Sequence, residues 1–293
     1  MGNVNETVPY RCSFLSDDHL EKLYEAFVSA FSDYVIPFAL SEVQFRNHIN
    51  LNAVDLSRTI GCFDGDRLVG FSLNGFGEWN GRPTVYDAGT GVLPDFRRRG
   101  ISERMFEIMI PVFERDGVEQ FLLEVISNNV AAVSLYEKLG FRKVRELTLM
   151  QCDRPIVGAA GDPMDIRIRD LEAPDWALLA RFCDGDSSWQ NSVAAIERSR
   201  NMKRILGAYA GAKCVGYIVF SSRFGRVAQL AVDKNYRNRG VGTALLTTMQ
   251  NEIDRGFSPQ IINLDTSLNG ALQFLKHRGF YETIGQYEMV MNL

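Results

Sequence analysis

The chain has 293 residues, 46% hydrophobic and 23% charged, an ordinary globular balance with enough length for two domains that each bury a core. Its 32 Lys and Arg against 36 Asp and Glu leave a formal net charge of -4, which gives no global push toward nucleic acid or an acidic membrane surface. No stretch is long and apolar enough for a signal peptide or a helical span. In chain order, residues 10–15 open a strand, and 17–31 place Leu20, Leu23, Ala26, Phe27 and Ala30 at helical spacing. Pro37 breaks the stretch 32–39, which is apolar and aromatic where loops are usually polar. A second helix starts at the N-cap candidate Ser41 and runs to residue 51.

A meander of strands over 59–63, 68–76 and 84–93 follows, with an Asp64-Gly65 hairpin signal in the first turn and a polar loop at 78–83. A helix over 100–115 and a strand over 120–126 alternate with it, and 141–152 closes the first domain, 1–152, as a hairpin. Pro155, Gly158, Ala159, Ala160, Gly161 and Pro163 mark a linker over 153–165. The second domain, 166–293, repeats the order: strand 166–168, helices 173–182 and 187–199, strands 205–209, 214–221 and 226–232, helix 240–255, strands 260–265 and 284–291. The fold expected is mixed α/β, two tandem domains each with a central, mostly antiparallel twisted sheet flanked by helices. Five cysteines without a Cys-x-x-Cys pair fit a reducing, cytoplasmic setting better than a disulfide framework, and three scattered histidines give no metal-ligand spacing.

Two stretches carry the chemistry. Val92-Leu93-Pro94-Asp95-Phe96-Arg97-Arg98-Arg99-Gly100-Ile101-Ser102 joins a strand to a helix through a basic, glycine-containing turn. A helix N-terminus carries partial positive charge, so three arginines before it ask for an anion, of which phosphate is the natural choice; a solvated basic turn is the plain alternative. Val232-Asp233-Lys234-Asn235-Tyr236-Arg237-Asn238-Arg239-Gly240-Val241-Gly242 is a second copy. Downstream of each lies a strand, a short helix and Gly-Phe: Leu123-Glu124-Val125 with Asn129, Ala132, Leu135, Tyr136, Gly140 and Phe141, and Asn263-Leu264-Asp265 with Leu268, Ala271, Phe274, Leu275, Gly279 and Phe280.

The Arg-x-x-Gly-x-Gly turn resembles the coenzyme A pyrophosphate loop of the GCN5-related N-acetyltransferases (GNAT), with Ser102 the one departure in the first copy. The Asn-x-x-Ala-x-x-Leu-Tyr helix ending at Gly-Phe is similar to the closing motif of the same family. The resemblance covers mainly 84–151 and 225–292. It implies acetyl-CoA as co-substrate and a primary amine, of a small molecule or a peptide N-terminus, as acceptor. It assigns the pyrophosphate to backbone N–H groups and side chains of Arg97, Arg98, Arg99, Gly100, Ile101 and Ser102, and of Arg237, Asn238, Arg239, Gly240, Val241 and Gly242. Val92 and Leu93, and Val232 in the second copy, then pair with the pantetheine arm, and Asn129 belongs to the coenzyme set. In the first domain the Leu-Glu-Val strand and the Leu-Tyr helix resemble ribosomal-protein alanine acetyltransferases, which implies Glu124 as base and Tyr136 as acid. Without that resemblance Glu124 reads as an exposed strand carboxylate and Tyr136 as an aromatic packed on the sheet. Tyr34, Pro37 and Phe38 are acceptor-side candidates or a core plug, and Asp87, Glu78 and Trp79 are weaker substrate-side candidates. Asn263 and Leu275 replace Glu124 and Tyr136 in the second domain, which leaves Asp265 as its substitute base. Two alternatives stay open: an acyl-CoA-binding sensor without turnover, and a mycothiol-synthase-like tandem enzyme with the second domain active.

Overall fold

The computed structural model describes residues 10–34, 40–156 and 165–293; Pro37, Phe38 and most of the expected linker lie outside them. The chain gathers into two units, Met1–Glu124 with Val130–Arg142 and Met289–Leu293, and Val125–Asn129 with Lys143–Glu288.

The first unit is built from β1 (Arg11–Phe14), α1 (Leu20–Ala30), α2 (Glu42–Leu51), β2 (Ile60–Asp64), β3 (Arg67–Trp79), β4 (Arg82–Val92), α3 (Ile101–Arg115), β5 (Gln120–Ile126, its last two residues counted with the second unit) and α4 (Val130–Lys138). Strands β1 to β4 pair antiparallel in sequence order. The stretch 78–83 is tighter than a loop, because Asn80 and Gly81 both take positive φ (52° and 75°) and close a two-residue turn that keeps Trp79 paired with Arg82. Helix α2 begins as expected at Ser41, whose Oγ accepts from Gln44 N (3.3 Å) while Gln44 Oε1 accepts from Ser41 N (2.8 Å). Helix α3 buries Ile101, Met105, Phe106, Met109 and Phe113, one stripe at helical spacing. At roughly 1.5–3 kcal/mol per buried side chain that stripe holds the helix, and with it the Gly100 turn, on the sheet.

The second unit holds β6 (Arg142–Gln151), β7 (Ile166–Asp170), α5 (Trp176–Ala180), α6 (Val193–Arg198), β8 (Arg204–Ala210), β9 (Lys213–Ser221), β10 (Arg226–Val232), α7 (Val241–Asn251), β11 (Gln260–Asp265), α8 (Asn269–His277) and most of β12 (Tyr281–Asn292). Its strands run in the order β6-β11-β10-β9-β8-β7. Val241, Leu245, Leu246 and Met249 of α7 pack one face of the sheet together with Leu206, Val215, Ile218 and Phe220. Leu179, Phe182 and Ile196 cover Ile205, Tyr217 and Val219 in a second cluster. The helices expected over 173–182 and 187–199 are shorter than the pattern suggested, five and six residues in α5 and α6.

Two long-range features depart from expectation. Strand β6, expected to close the first domain as a hairpin, pairs antiparallel with β11 from Gln151↔Gln260 to Leu147↔Asp265. The chain end lies in the first unit instead, where Leu293 N donates to Glu119 O (3.0 Å) and Arg82 Nη1 to Asn292 Oδ1 (2.9 Å). Alternation fixes which face of a strand is buried but not which neighbour it pairs with, so this exchange has no local signature. Cys12 and Cys62 sit opposite each other on β1 and β2 and form a disulfide, against the expectation of thiols throughout; Cys152, Cys183 and Cys214 are free. Among the described residues no helix is long and apolar enough to cross a membrane, and no group of three His, Cys, Asp or Glu is placed to hold a metal ion.

Candidate active site

Both units open their sheet in the same way. In the first, β4 and β5 are parallel for only three pairs, Thr84↔Gln120 to Tyr86↔Leu122, and the ladder ends there. A bulge falls at the same level of β4, where the register with β3 shifts between Leu73↔Gly89 and Asn74↔Asp87, leaving Ala88 unpaired. In the second, β10 and β11 keep only Arg226↔Gln260 and Val227↔Ile261, and the register with β9 shifts between Val227 and Gln229, which leaves Ala228 unpaired. Each strand then runs on to a basic turn and a helix.

The two turns match angle by angle. Arg97 and Arg237 are extended (φ -66°, ψ 159° and φ -68°, ψ 158°), Arg98 and Asn238 take φ 61° and 59°, and Gly100 and Gly240 cap their helices at φ 74° and 82°. A left-handed residue followed two positions on by a left-handed glycine turns successive backbone N–H groups toward one point, at the positive end of a helix. A Cβ on Gly240 would meet nothing within 4 Å, so the space over that turn is open.

Three of the arginine side chains hold their turns in place. Arg97 donates through Nε to Val92 O (3.2 Å), through Nη2 to Ala30 O (2.9 Å) and through Nη1 and Nη2 to both oxygens of Asp33 (2.7 Å each). Arg237 repeats this with Val232 O (3.1 Å), Phe182 O (2.9 Å) and Asp184. The arginine at this position ties its turn to the preceding strand and to the helix behind it. Arg99 likewise reaches Tyr10 Oη (2.9 Å) and Asp95 O (2.8 Å). With Arg97, Arg99 and Arg237 engaged in this way, the backbone N–H groups of the turns remain for an anion.

Electrostatics separate the two turns. Glu103 stands in the first turn of α3, its Oε2 3.5 Å from where a Cβ of Gly100 would be, and its other oxygen binds Lys138 (2.7 Å). The corresponding residue of α7 is Thr243, whose Oγ1 accepts from Arg278 Nε (2.8 Å). At this position the first turn has a carboxylate paired with Lys138, and the second a hydroxyl that accepts from Arg278. A cavity of about 590 Å³ extends from the second turn along β10 and β11, lined among others by Arg237, Gly240, Gln229, Asn263, Leu275 and Arg278. Ser188 also lines it, and its buried Oγ has no hydrogen-bond partner. Gly242 is closely packed, since a Cβ there would stand 3.0 Å from the Phe274 ring.

The proton-handling candidates fall into two separate pairs. Glu124 Oε2 accepts from the Tyr86 hydroxyl on the facing strand. Tyr136, 8% exposed on α4, donates to Asp87 Oδ2 (3.1 Å). Asp87 is 7% exposed at the β4 bulge and also accepts from Gly89 N (2.8 Å) and Thr90 Oγ1 (2.8 Å). Burial pushes the Asp87 carboxyl up to about 6, against the opposing pull of the Thr90, Gly89 and Tyr136 hydrogen bonds. Burial, then the neighbouring Asp87 charge and then Tyr34, hold the Tyr136 phenol well above its ordinary value.

Tyr34 thus belongs electrostatically with Tyr136, while Trp79 is buried at the hairpin end of β3, and β4 separates that end from Val92 by ten residues, about 33 Å of strand. Phe38 lies outside the described residues. Asn129 N donates to Ile126 O (2.9 Å) ahead of α4. In the second unit Leu275 is 3% exposed, Asn263 is buried at 9%, and Asp265 faces Arg145 Nη1 at 3.6 Å. Arg145 also forms a bidentate pair with the buried Glu288 (2.6 and 2.7 Å), so the substitute base of that unit is held beside a fixed cation.

Comparison with known proteins agrees with this geometry. The Acetyltransferase (GNAT) family matches residues 20–141, and the Acetyltransferase (GNAT) domain matches 201–285. The chain is 33% identical over 93 residues to the ribosomal protein bS18 alanine N-acetyltransferase of Escherichia coli, which is 29% of this chain and 63% of that protein. It is 46% identical over 82 residues to the enzyme of the same name from Salmonella typhimurium, 27% of this chain and 50% of that one. It therefore spans between half and somewhat less than two thirds of the length of these curated relatives. Among solved structures, a putative acetyltransferase from Pyrococcus horikoshii superposes with TM-score 0.70 at 18% identity, over 100% of this chain and 94% of that one. A tandem GNAT protein from the clavulanic acid biosynthesis pathway does so with TM-score 0.72 at 14% identity, over 97% and 98%. With two matched segments of one family, each carrying the split sheet and the left-handed turn, this chain belongs to the GNAT acetyltransferases and carries two of their domains in tandem.

Proposed function

We propose that the first unit transfers the acetyl group of acetyl-CoA to a primary amine of a small molecule or a peptide N-terminus, with Tyr136 in its proton handling. The observation that carries this is the buried Tyr136 hydroxyl, fixed at the level where β4 and β5 part, on the unit that also holds the Gly100 turn. Coenzyme A supplies an activated thioester, and the chain must hold its pyrophosphate, align its arm and manage one proton. The turn residues Arg98 to Ser102 fit the first task through backbone N–H groups, and the unpaired lengths of β4 and β5 beyond Tyr86 and Leu122 leave backbone groups for the second.

The second unit is read as a coenzyme-binding domain that does not turn over. Its open turn, its cavity and Arg278 suit an anionic ligand, whereas the positions of the tyrosine and the glutamate are filled by Leu275 and Asn263 and Asp265 is paired with Arg145. That pairing speaks against the mycothiol-synthase-like arrangement. The bacterial relatives named for alanine acetylation of ribosomal protein bS18 make a peptide N-terminus the first acceptor to try.

The test is incubation with acetyl-CoA and a panel of primary amines that includes N-terminal alanine peptides, following free thiol and product mass. Amine-dependent thiol release with one acetyl group gained by the acceptor is expected. Tight acetyl-CoA binding with no transfer to any acceptor would favour the sensor instead.

A further inference from the structure

We propose that Asp87 is the terminal proton acceptor of this transfer, reached through the hydroxyl of Tyr136. The inference rests on the reading of the first unit as the acetyl-transferring one. A phenol has one proton to give, and that of Tyr136 is directed at Asp87 Oδ2 (3.1 Å). With its proton committed, the Tyr136 oxygen meets a substrate as an acceptor. Asp87 in turn is held by three donors: Gly89 N and Thr90 Oγ1 at 2.8 Å each, and Tyr136.

The step balances without any further reactant. The neutral amine nitrogen bonds to the acetyl carbon, and the carbon–sulfur bond breaks with its electron pair left on sulfur. The amine proton passes to the Tyr136 oxygen as the Tyr136 proton passes to Asp87 Oδ2. Tyr136 ends neutral and Asp87 protonated, the thiolate leaves and takes a proton from water, and Asp87 returns its proton through Tyr136 to solvent afterwards. The opposite direction, with Tyr136 protonating sulfur, would leave a tyrosinate against the Asp87 carboxylate in a buried site, and such like-charge placement is costly.

Among the described residues, four further side chains approach this pair. Tyr34 approaches from the segment after α1, and His48 of α2 lies beside the bulge with Nε2 2.7 Å from Ala88 O. Thr90 comes from β4 itself, and Glu124 of β5 is engaged with Tyr86. No Lys or Arg is among the causes that shift either group. Burial, which dominates, places Asp87 at about 6, low enough to be ionised at neutral pH and high enough to take a proton in turnover.

The experiment is the pH dependence of amine acetylation by wild type, Asp87→Asn, Tyr136→Phe and Thr90→Val with one acceptor. Asp87→Asn keeps an oxygen for Tyr136 to donate to, so a merely orienting Asp87 would leave turnover near wild type. The relay instead predicts a fall of about 10²- to 10⁴-fold in both Asp87→Asn and Tyr136→Phe, with acetyl-CoA affinity unchanged. Thr90→Val removes a hydrogen bond that favours ionised Asp87, so the acid limb of the rate profile moves to higher pH; the acceptor's own titration cannot respond to this change. Should Asp87→Asn fold poorly, Thr90→Val carries the test alone. Wild-type turnover in Asp87→Asn, or an acid limb unmoved in Thr90→Val, overturns the relay while the transfer reading stands. A wild-type protein that acetylates no amine removes both.

Discussion

Replacing Gly240 by glutamate tests whether the second turn holds coenzyme A, and its two costs can be worked out separately. The backbone there has φ 82°, a left-handed conformation that costs an L-residue about 1–2 kcal/mol, and a Cβ would meet nothing within 4 Å, so no clash adds to this. At roughly 2–4 °C per kcal/mol for a domain of this size, the transition should fall by about 2–8 °C and remain cooperative. The new carboxylate stands over the turn where a phosphate would bind. Two unit charges about 4 Å apart at an effective dielectric near 20 repel by about 4 kcal/mol, equivalent to roughly 10³-fold in Kd. Gly240→Ala carries the strain without the charge and serves as control. Calorimetric titration with coenzyme A, alongside thermal unfolding, should show two sites in wild type and in Gly240→Ala and one in Gly240→Glu. Unchanged affinity and stoichiometry in Gly240→Glu would refute the idea that this turn is a phosphate site.

Three further outcomes follow from named contacts. Tyr136→Phe keeps the ring that packs on Phe106 and Phe141 and should lose about 10²- to 10⁴-fold in thiol release, whereas Leu275→Phe in the second unit should cause no comparable loss. Arg145→Met leaves Glu288, 2% exposed, as an unpaired buried charge and should destabilise by about 3–5 kcal/mol in urea unfolding, and adding Glu288→Met should recover most of this. Asp87 is raised from 3.8 to about 6 by burial, so the native state binds the proton more tightly than the unfolded chain. Its contribution is therefore fully present below about 4 and is lost as pH rises through 6. Relative to Asp87→Asn, wild type should gain up to about 3 kcal/mol between pH 7 and pH 4, read from urea midpoints across that range.

What was legible in the sequence was what is local. The turn Arg97-x-x-Gly100 and its copy at Arg237 show a basic residue and a glycine at fixed offsets from a strand and a helix, and the structure gives both turns the same backbone angles. Tyr136 stood out through its neighbours Asn129, Ala132 and Leu135. Its partner did not: Asp87 lies 49 residues earlier, and only the β4 bulge and the packing of α4 bring the two together, so nothing in local spacing pairs them. The Tyr86 partner of Glu124 was hidden for the same reason, since Tyr86 sits next to β5 only through the parallel ladder. Arg97 and Arg237, two of the arginines placed at the phosphate, also pair with Asp33 and Asp184, carboxylates that lie in loops before the turn and carry no motif. Strand β6 beside β11 and the disulfide of Cys12 with Cys62 belong to the same class of long-range facts.

The central claim is that turnover belongs to the first unit, and the single-turnover rate of amine acetylation in Gly100→Glu measures it most directly. Gly100 caps α3 at φ 74°, and the added carboxylate would stand beside Glu103 at the mouth of that turn. Transfer reduced by about 10³-fold in a folded Gly100→Glu protein is the result predicted. Transfer at the wild-type rate in Gly100→Glu, with the loss appearing in Gly240→Glu instead, would contradict it and move the chemistry to the second unit.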